Sequence, residues 1–454
     1  MKELTTMRVP VRIALSALVV LAVFVGTGPA YGSETAEGRA AAARAALEGF
    51  DDLVRQAIED FNVPGLGIAV VAGGEVVYAE GFGHRDVENN LPMTSDSLFA
   101  IGSTTKAMTV TVLGMLVDEG RLEWDTPLRV YLPGFRLRDP LITERITPRD
   151  LVTHRSGLPR HDLVWYNNDH STRAEIVAQL AYLELTEDLR SKFQYNNLMY
   201  MTAGYLAGQL SDTSWEYLVR ERLFEPLGMQ RTNFSVEDSE KDADHALPYR
   251  ENDDDEIERI PFRNIDLVGP AGSVNSGVNE MVRWLLFNLH GGKVDDHQLI
   301  NSTTLADIHS PHMTTGATPD RPDVSVATYG MGWGIATYRG HRRISHGGGI
   351  DGFITSVMFF PDADLGIVAF NNRGSGLPQL VAQHAADRIL GLEKVDWIGE
   401  ALEERKKAKA ESDQAEEKKE ATRIAGTAVT HPLADYAGEY ANPGYGTLGI
   451  TVAG

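Results

Sequence analysis

Apolar residues recur at helical spacing between Leu47 and Phe61, where Leu53, Val54, Ala57, Ile58 and Phe61 form one stripe. That period predicts an amphipathic helix. Two β-rich runs follow, Gly65–Val71 and Val76–Glu80, separated by Ala72-Gly73-Gly74-Glu75, the signature of a hairpin. A second strand-rich block lies far downstream, with short apolar runs at Gly332–Tyr338, Arg342–Ser345, Phe353–Pro361 and Leu365–Asn371. Their connections are too short for crossover helices, so this sheet is expected to be antiparallel. A helix over about Leu377–Leu390 follows. Between the two blocks the clearest periods are helical, at Arg173–Tyr182, Asn197–Leu210, Trp215–Leu223 and Asn279–Leu289. The pattern predicts an α+β fold, with one antiparallel sheet built from both ends of the chain, flanked by helices. A mostly helical subdomain, about residues 125–300, is inserted between its two parts. Ligand clefts commonly form at such a seam.

The two ends read differently. Lys2, Arg8 and Arg12 precede an apolar run from Ile13 to about Val25, and Gly26-Thr27-Gly28-Pro29 then Ala30-Tyr31-Gly32 follow. This charged, apolar, small-residue order predicts a signal peptide over residues 1–32. The run is shorter than the roughly 20 residues that span a bilayer. No stable membrane anchor is therefore expected after cleavage, and the protein is expected to be exported, periplasmic or extracellular. Residues 393–428 read as a charged helical linker, with Glu400–Arg423 dense in Ala, Glu and Lys. Residues 429–454 read as the start of a small β module, either docked on the body or a fragment of something longer.

Composition narrows the chemistry. The chain has 454 residues, 43% hydrophobic and 23% charged, an ordinary globular balance. A net charge of −22 repels phosphates and anionic lipid, so no nucleic-acid partner is expected. No Cys is present, which removes disulfides, thiolate metal sites and Cys nucleophiles. His309 and His312 are three apart with Pro311 between them, and no other set has metal-ligand spacing. Neither metal nor cofactor is expected. Trp284-Leu285-Leu286-Phe287 reads as core, and Asp253-Asp254-Asp255-Glu256 as a solvated loop.

Three short motifs carry candidate chemistry. Ser103-Thr104-Thr105-Lys106 opens the apolar run Ala107–Leu116. Positions i and i+3 share a helix face, so Ser103 Oγ and Lys106 Nζ can meet. A lysine buried at the head of an apolar helix can lose enough basicity to act as a base. The plain alternative is a serine cap beside a solvent-facing lysine. Tyr195-Asn196-Asn197 precedes the helix Leu198–Leu210. Its Tyr could take the serine proton and the Asn197 amide could hold a substrate carbonyl, or the pair could be a core aromatic and a cap. Ser345-His346-Gly347-Gly348-Gly349 ends a strand. Its glycines would let an extended ligand approach the backbone, or it is a loose hairpin with a surface histidine.

In this order, on this layout, the motifs resemble the serine β-lactamase and penicillin-binding-protein superfamily. The similarity is to the class C β-lactamase-like branch, which includes DD-peptidases, D-aminopeptidases and esterases, and it covers roughly residues 45–392. Supporting stretches are Val63-Pro64-Gly65, Gly81-Phe82-Gly83, Leu151 to Pro159, Pro270-Ala271-Gly272-Ser273 and Tyr329-Gly330-Met331-Gly332-Trp333. The resemblance implies a β-lactamase/transpeptidase-like fold and an acyl-enzyme on Ser103, with Lys106 and Tyr195 shuttling protons. It implies substrate contacts at Asn197, His346, Gly347 and Gly348, and an oxyanion hole from the backbone N–H of Ser103 and Gly349. His346 stands where class C lactamases have the Lys of Lys-Thr-Gly. That departure favours a peptidase or esterase over an antibiotic hydrolase, with His346, partly charged near neutral pH, facing the substrate carboxylate or acyl side. The expected partner is a small-molecule or peptide substrate carrying an amide or ester bond. The rival expectation is a penicillin-binding sensor that acylates with little turnover.

Overall fold

The computed structural model describes residues 35–319, 321–424 and 426–453; the expected signal peptide lies outside them. Its centre is a nine-stranded antiparallel sheet. In chain order its strands are β1 (Gly65–Ala72), β2 (Glu75–Asp86), β3 (Leu91–Pro92), β4 (Met313–Thr314), β5 (Thr328–Tyr329), β6 (Gly334–Tyr338), β7 (His341–Ile350), β8 (Phe353–Phe360) and β9 (Leu365–Asn371). Across the sheet they run β4-β5-β6-β7-β8-β9-β1-β2-β3. The chain's two ends meet where β1 pairs with β9, Ile68 opposite Ala369 and Val70 opposite Ile367. All residues of β1 and β9 are buried, so these strands must be covered on both faces.

Strand alternation sends their side chains into two separate cores. Ile68 and Val70 face one with Phe50, Val54, Ile367, Val381 and Trp397. That layer is built from α1 (Ala36–Ala46), α2 (Phe50–Asp60) and, near the C-terminus, a helix over Leu377–Ile389. Ala69 and Val71 face the other core with the helical insertion. This layer includes α3 (Thr105–Asp118), α4 (Asn197–Ser211) and α5 (Val278–Leu289); the Leu377–Ile389 helix is α6. Trp284 and Phe287 stack in that core, as their sequence context predicts. The helix expected to start at Leu47 starts instead at Phe50, because Gly49 adopts a left-handed conformation (φ 71°) that ends α1 and re-aims the chain. Such backbone suits glycine, which has no Cβ to clash.

The charged stretch after β9 and α6 is a single helix, α7 (Trp397–Thr422). It is not wholly a solvated linker. Trp397 is buried and donates through Nε1 to Asp387 Oδ2 at 2.8 Å, a carboxylate that also accepts from Tyr338 Oη and Arg339 Nη1. Arg405 bonds Glu251 at 2.7 and 2.5 Å, and Lys409 bonds Asp255 at 2.6 Å in the acidic loop. Helical periodicity cannot show such pairing, because the acids come from some 150 residues earlier in the chain. From Lys406 onward every described side chain of α7 is exposed. The terminal hairpin, β10 (Gly438–Asn442) and β11 (Gly446–Ile450), turns at Gly444, which packs on Leu183, and the Tyr445 hydroxyl meets His161 Nδ1.

Trp397→Ala should lower the unfolding free energy by about 3–5 kcal/mol, read from urea denaturation, because it empties a core position and removes one of the donors on buried Asp387. An effect below about 1 kcal/mol would mean that α7 contributes nothing to the core.

Candidate active site

Ser103 sits in a tight turn, Gly102–Thr104, that leads directly into α3. The turn is pressed against β7. A Cβ on Gly102 (φ 52°) would lie 2.7 Å from the Gly349 nitrogen, and one on Gly348 would lie 2.0 Å from the Ile101 carbonyl oxygen. Both positions therefore demand glycine, since real side chains do not come so close. Strand β7 pairs with β8 from Ile344 to Ile350 but with β6 only as far as Ser345. From His346 onward one backbone edge is thus left to the Ser103 turn. Gly347 and Gly349 are exposed on that edge, whereas Gly348 is buried. Gly348 accordingly acts by permitting close packing; the surface open to a ligand is that of Gly347 and Gly349.

Lys106 lies one helical turn beyond Ser103, with a relative exposure of 0%. Its Nζ is 3.0 Å from Ser103 Oγ, 2.8 Å from Asn197 Oδ1 and 2.7 Å from the Ala271 carbonyl. The Tyr195 and Tyr200 rings pack beside it, 4.8 and 5.3 Å from Nζ to their centres. No carboxylate touches it. Burial, reinforced by the Arg160 cation and opposed by Asp162, holds its pKa well below the usual lysine range. A neutral amine has two N–H bonds and one lone pair. Once deprotonated, Lys106 can give its two N–H bonds to the two carbonyl oxygens and keep a lone pair for the Ser103 hydroxyl. The alternative of a solvent-facing lysine is excluded by burial, and the side chain of Thr104, which precedes α3, makes no capping bond.

The Tyr-Asn-Asn motif divides its work at the start of α4. Asn196 is the cap: Oδ1 accepts from the Met199 N–H at 2.9 Å, and Nδ2 donates to the Leu158 carbonyl at 3.1 Å. That fixes its neighbours on either side. Tyr195 lies beside Ser103, whose side chain lowers its pKa, but burial, the larger influence, raises it. It is a neutral phenol at neutral pH, not a phenolate. Asn197 gives Oδ1 to Lys106 and one Nδ2–H to Asp162 Oδ1 at 3.2 Å. One amide hydrogen remains for a ligand.

His346 departs from its expected role. Its Nδ1–H donates to the Gly347 carbonyl at 2.6 Å, and its Nε2 accepts from Tyr329 Oη at 3.0 Å. Both ring nitrogens are engaged inside the protein. Burial pushes its pKa down to about 4. The expectation of a partly charged imidazole holding a carboxylate near neutral pH is corrected: His346 is neutral there and braces the strand edge. The sequence hid this because the bonding partner, Tyr329, lies on another strand.

Three further residues complete the site. His154 (φ 56°) is fully buried, and its ring packs 4.3 Å from that of Tyr195, 5.0 Å from Tyr200 and 4.8 Å from Tyr329. Its Nδ1 accepts from the Asn196 N–H at 3.1 Å, and burial, then Lys106, keeps it neutral. It wedges Tyr195 in place. Asp162 accepts from Trp165 Nε1 at 2.8 Å and Arg160 Nε at 2.5 Å as well as from Asn197. Tyr329 holds His346. The only sequence signal for the first two was their place in or beside Leu151–Pro159, and for Tyr329 the stretch it opens. His309 and His312, read as non-ligating, bond Asn288 Oδ1 and the Asp307 carbonyl. Among the described residues no cluster of three or more His, Asp or Glu is arranged to hold a metal.

With this geometry in place, comparison with known proteins gives the class. The beta-lactamase family model matches residues 50–391, and the chain belongs to that family. It is 29% identical over 437 residues to an unguisins hydrolase of Aspergillus campestris, covering 88% of this chain and 77% of that one. Its structure is similar to that of the octameric penicillin-binding protein homologue from Pyrococcus abyssi, with a TM-score of 0.69 and 25% identity over 76% of this chain and 78% of that one. A D-amino acid amidase from Ochrobactrum anthropi shares the fold at a TM-score of 0.60 and 22% identity, over 78% of this chain and 97% of that one.

The buried amine makes a sign-definite expectation. The folded pKa of Lys106 is depressed, so below the unfolded value near 10.4 the unfolded chain binds one more proton than the folded one. Stability relative to Lys106→Met should therefore rise with pH between about 7 and 10, by up to about 1.4 kcal/mol per unit. Paired urea titrations test this. A pH-independent difference would show that Lys106 keeps its proton in the fold.

Proposed function

We propose that this chain is an exported serine hydrolase that cleaves amide or ester bonds through an acyl-enzyme on Ser103. The observation that carries the reading is the Nζ of Lys106, buried, with its pKa held down by desolvation, and 3.0 Å from Ser103 Oγ. Lys106 takes the hydroxyl proton as Oγ attacks the substrate carbonyl. The resulting oxyanion is received by the backbone N–H groups of Ser103 and Gly349, whose turn and strand meet at the Gly102 and Gly348 contacts. Loss of such a donor typically costs about 2.7–4 kcal/mol of transition-state stabilisation. The tetrahedral centre collapses, the carbon–leaving-group bond breaks, and Tyr195 gives its phenolic proton to the leaving atom while Lys106 returns a proton to Tyr195. Water then attacks the acyl-enzyme along the reverse route, giving the acid and restoring Ser103 Oγ–H.

The hydrolase reading is supported by the family and by the names of its similar proteins, an unguisins hydrolase and a D-amino acid amidase. The neutral histidine at 346 supports a peptidase, amidase or esterase over a true lactamase. Export is supported by the charged, apolar and small residues of positions 1–32.

A fluorophosphonate probe should label the protein stoichiometrically, and Ser103→Ala should abolish labelling while the circular dichroism spectrum is unchanged. On p-nitrophenyl esters, D-amino acid amides and nitrocefin, turnover should be sustained on esters or amides. A burst of one equivalent without turnover on any of them would instead identify a sensor that acylates and stops. Labelling retained in Ser103→Ala would overturn the nucleophile.

A further inference from the structure

The serine-hydrolase reading leaves open which charge the substrate carries, and the cations around Ser103 bear on it. Lys106 is buried, with its nitrogen committed inside the protein. His346 has both nitrogens bonded. Arg263, near the end of β7, bonds Asp351 and Asn167 and lies flat on Tyr166, 4.1 Å from the ring centre. Arg160 is different. Its side chain is 58% exposed, and its guanidinium carbon lies 5.3 Å from the centre of the Tyr195 ring.

Arg160 is also held in place. Its Nε donates to Asp162 Oδ2 at 2.5 Å, while Asp162 Oδ1 is anchored by Trp165 and Asn197. A guanidinium bound through Nε alone keeps the N–H bonds of both Nη atoms. Among the described residues, neither Nη has a hydrogen-bond partner within the protein. A planar fork of N–H donors, fixed in direction by a carboxylate behind it, matches the two oxygens of a carboxylate in front of it. The whole chain is strongly acidic, at −22, so an anionic substrate needs such a local cation to approach.

We propose that Arg160 is a specificity-determining residue that receives an anionic group, a carboxylate in the first instance, carried on the leaving side of the substrate. The side follows from Tyr195. Arg160 lies over the ring of the residue that, in the proposed reaction, protonates the leaving atom. This inference rests on that reaction for the side it assigns, but its measurement is separable from it.

The test uses the full chain and two esters that differ by one carboxylate, phenyl butyrate and p-(butyryloxy)benzoate. Arg160→Gln should lower the ratio of kcat/KM for the anionic over the neutral ester by about tenfold to a hundredfold, the range for losing hydrogen bonds to a charged group. Arg160→Lys, which keeps the charge without the fork, should recover part of it. Removing Arg160 also removes a cation near Lys106, but that acts on both esters alike and cancels in the ratio. An unchanged ratio would overturn the proposal. So would an equal fall for both esters, since Arg160 would then merely support Tyr195. Hydrolysis of phenyl butyrate retained in Ser103→Ala would instead sink the nucleophile assignment, with the charge ratio still measurable.

Discussion

Everything at this site depends on removing one lysine from water without giving it a counter-ion. Lys106 is buried among apolar residues of α3 and two tyrosine rings. Its hydrogen-bonding surroundings are two carbonyl oxygens and one hydroxyl. A charged ammonium there would face a desolvation penalty that no contacting acid offsets, Asp162 acting only from a distance. The neutral amine is satisfied completely. The elements that build the surroundings are distant in sequence: Asn197 opens α4, Ala271 ends a tight turn before α5, and the sheet edge closes from β7. The fold therefore acts as a device for bringing two carbonyl oxygens to one nitrogen and leaving its lone pair for Ser103.

The second constraint is steric. The Ser103 turn and β7 approach until backbone touches backbone, which only Gly102 and Gly348 allow. Thr355 ties the same point by donating to the Ile101 carbonyl at 2.9 Å. That contact brings the Ser103 turn against the strand edge at Gly349. Preorganised backbone donors need no reorientation as charge develops, which is why such sites are built from strand edges and helix starts. His154, Tyr329 and His346 hold the tyrosine wall opposite. Each is neutral and buried or half-buried, so the wall adds no competing charge.

Local patterns made much of this legible. Short apolar runs bounded by turn residues located most of the large sheet, the i, i+3 spacing joined Ser103 to Lys106, and Tyr195 and Asn197 stood at a helix entrance. What stayed hidden depends on pairing across long sequence distances. The bracing of His346 comes from Tyr329, on a strand two away in the sheet. The anchoring of α7 is set by Glu251 and Asp255, in a hairpin of the insertion. Its composition alone reads as a free, solvated helix. The cap at α4 fell to Asn196 and the lysine contact to Asn197, a division that two adjacent, identical residues cannot reveal. The break at Gly49 is a local signal of a different kind, a single glycine inside a helical period.

The central claim is that Lys106 is an amine, not an ammonium, at neutral pH. It can be observed directly in protein labelled with ¹³C at lysine Cε, with Lys106→Met assigning the resonance. The account predicts a Lys106 Cε shift already at its neutral-amine value at pH 7.5, moving only as the solution is acidified. A resonance that stays at the ammonium value at pH 7.5 and titrates near the ordinary lysine value of about 10.4 would contradict it.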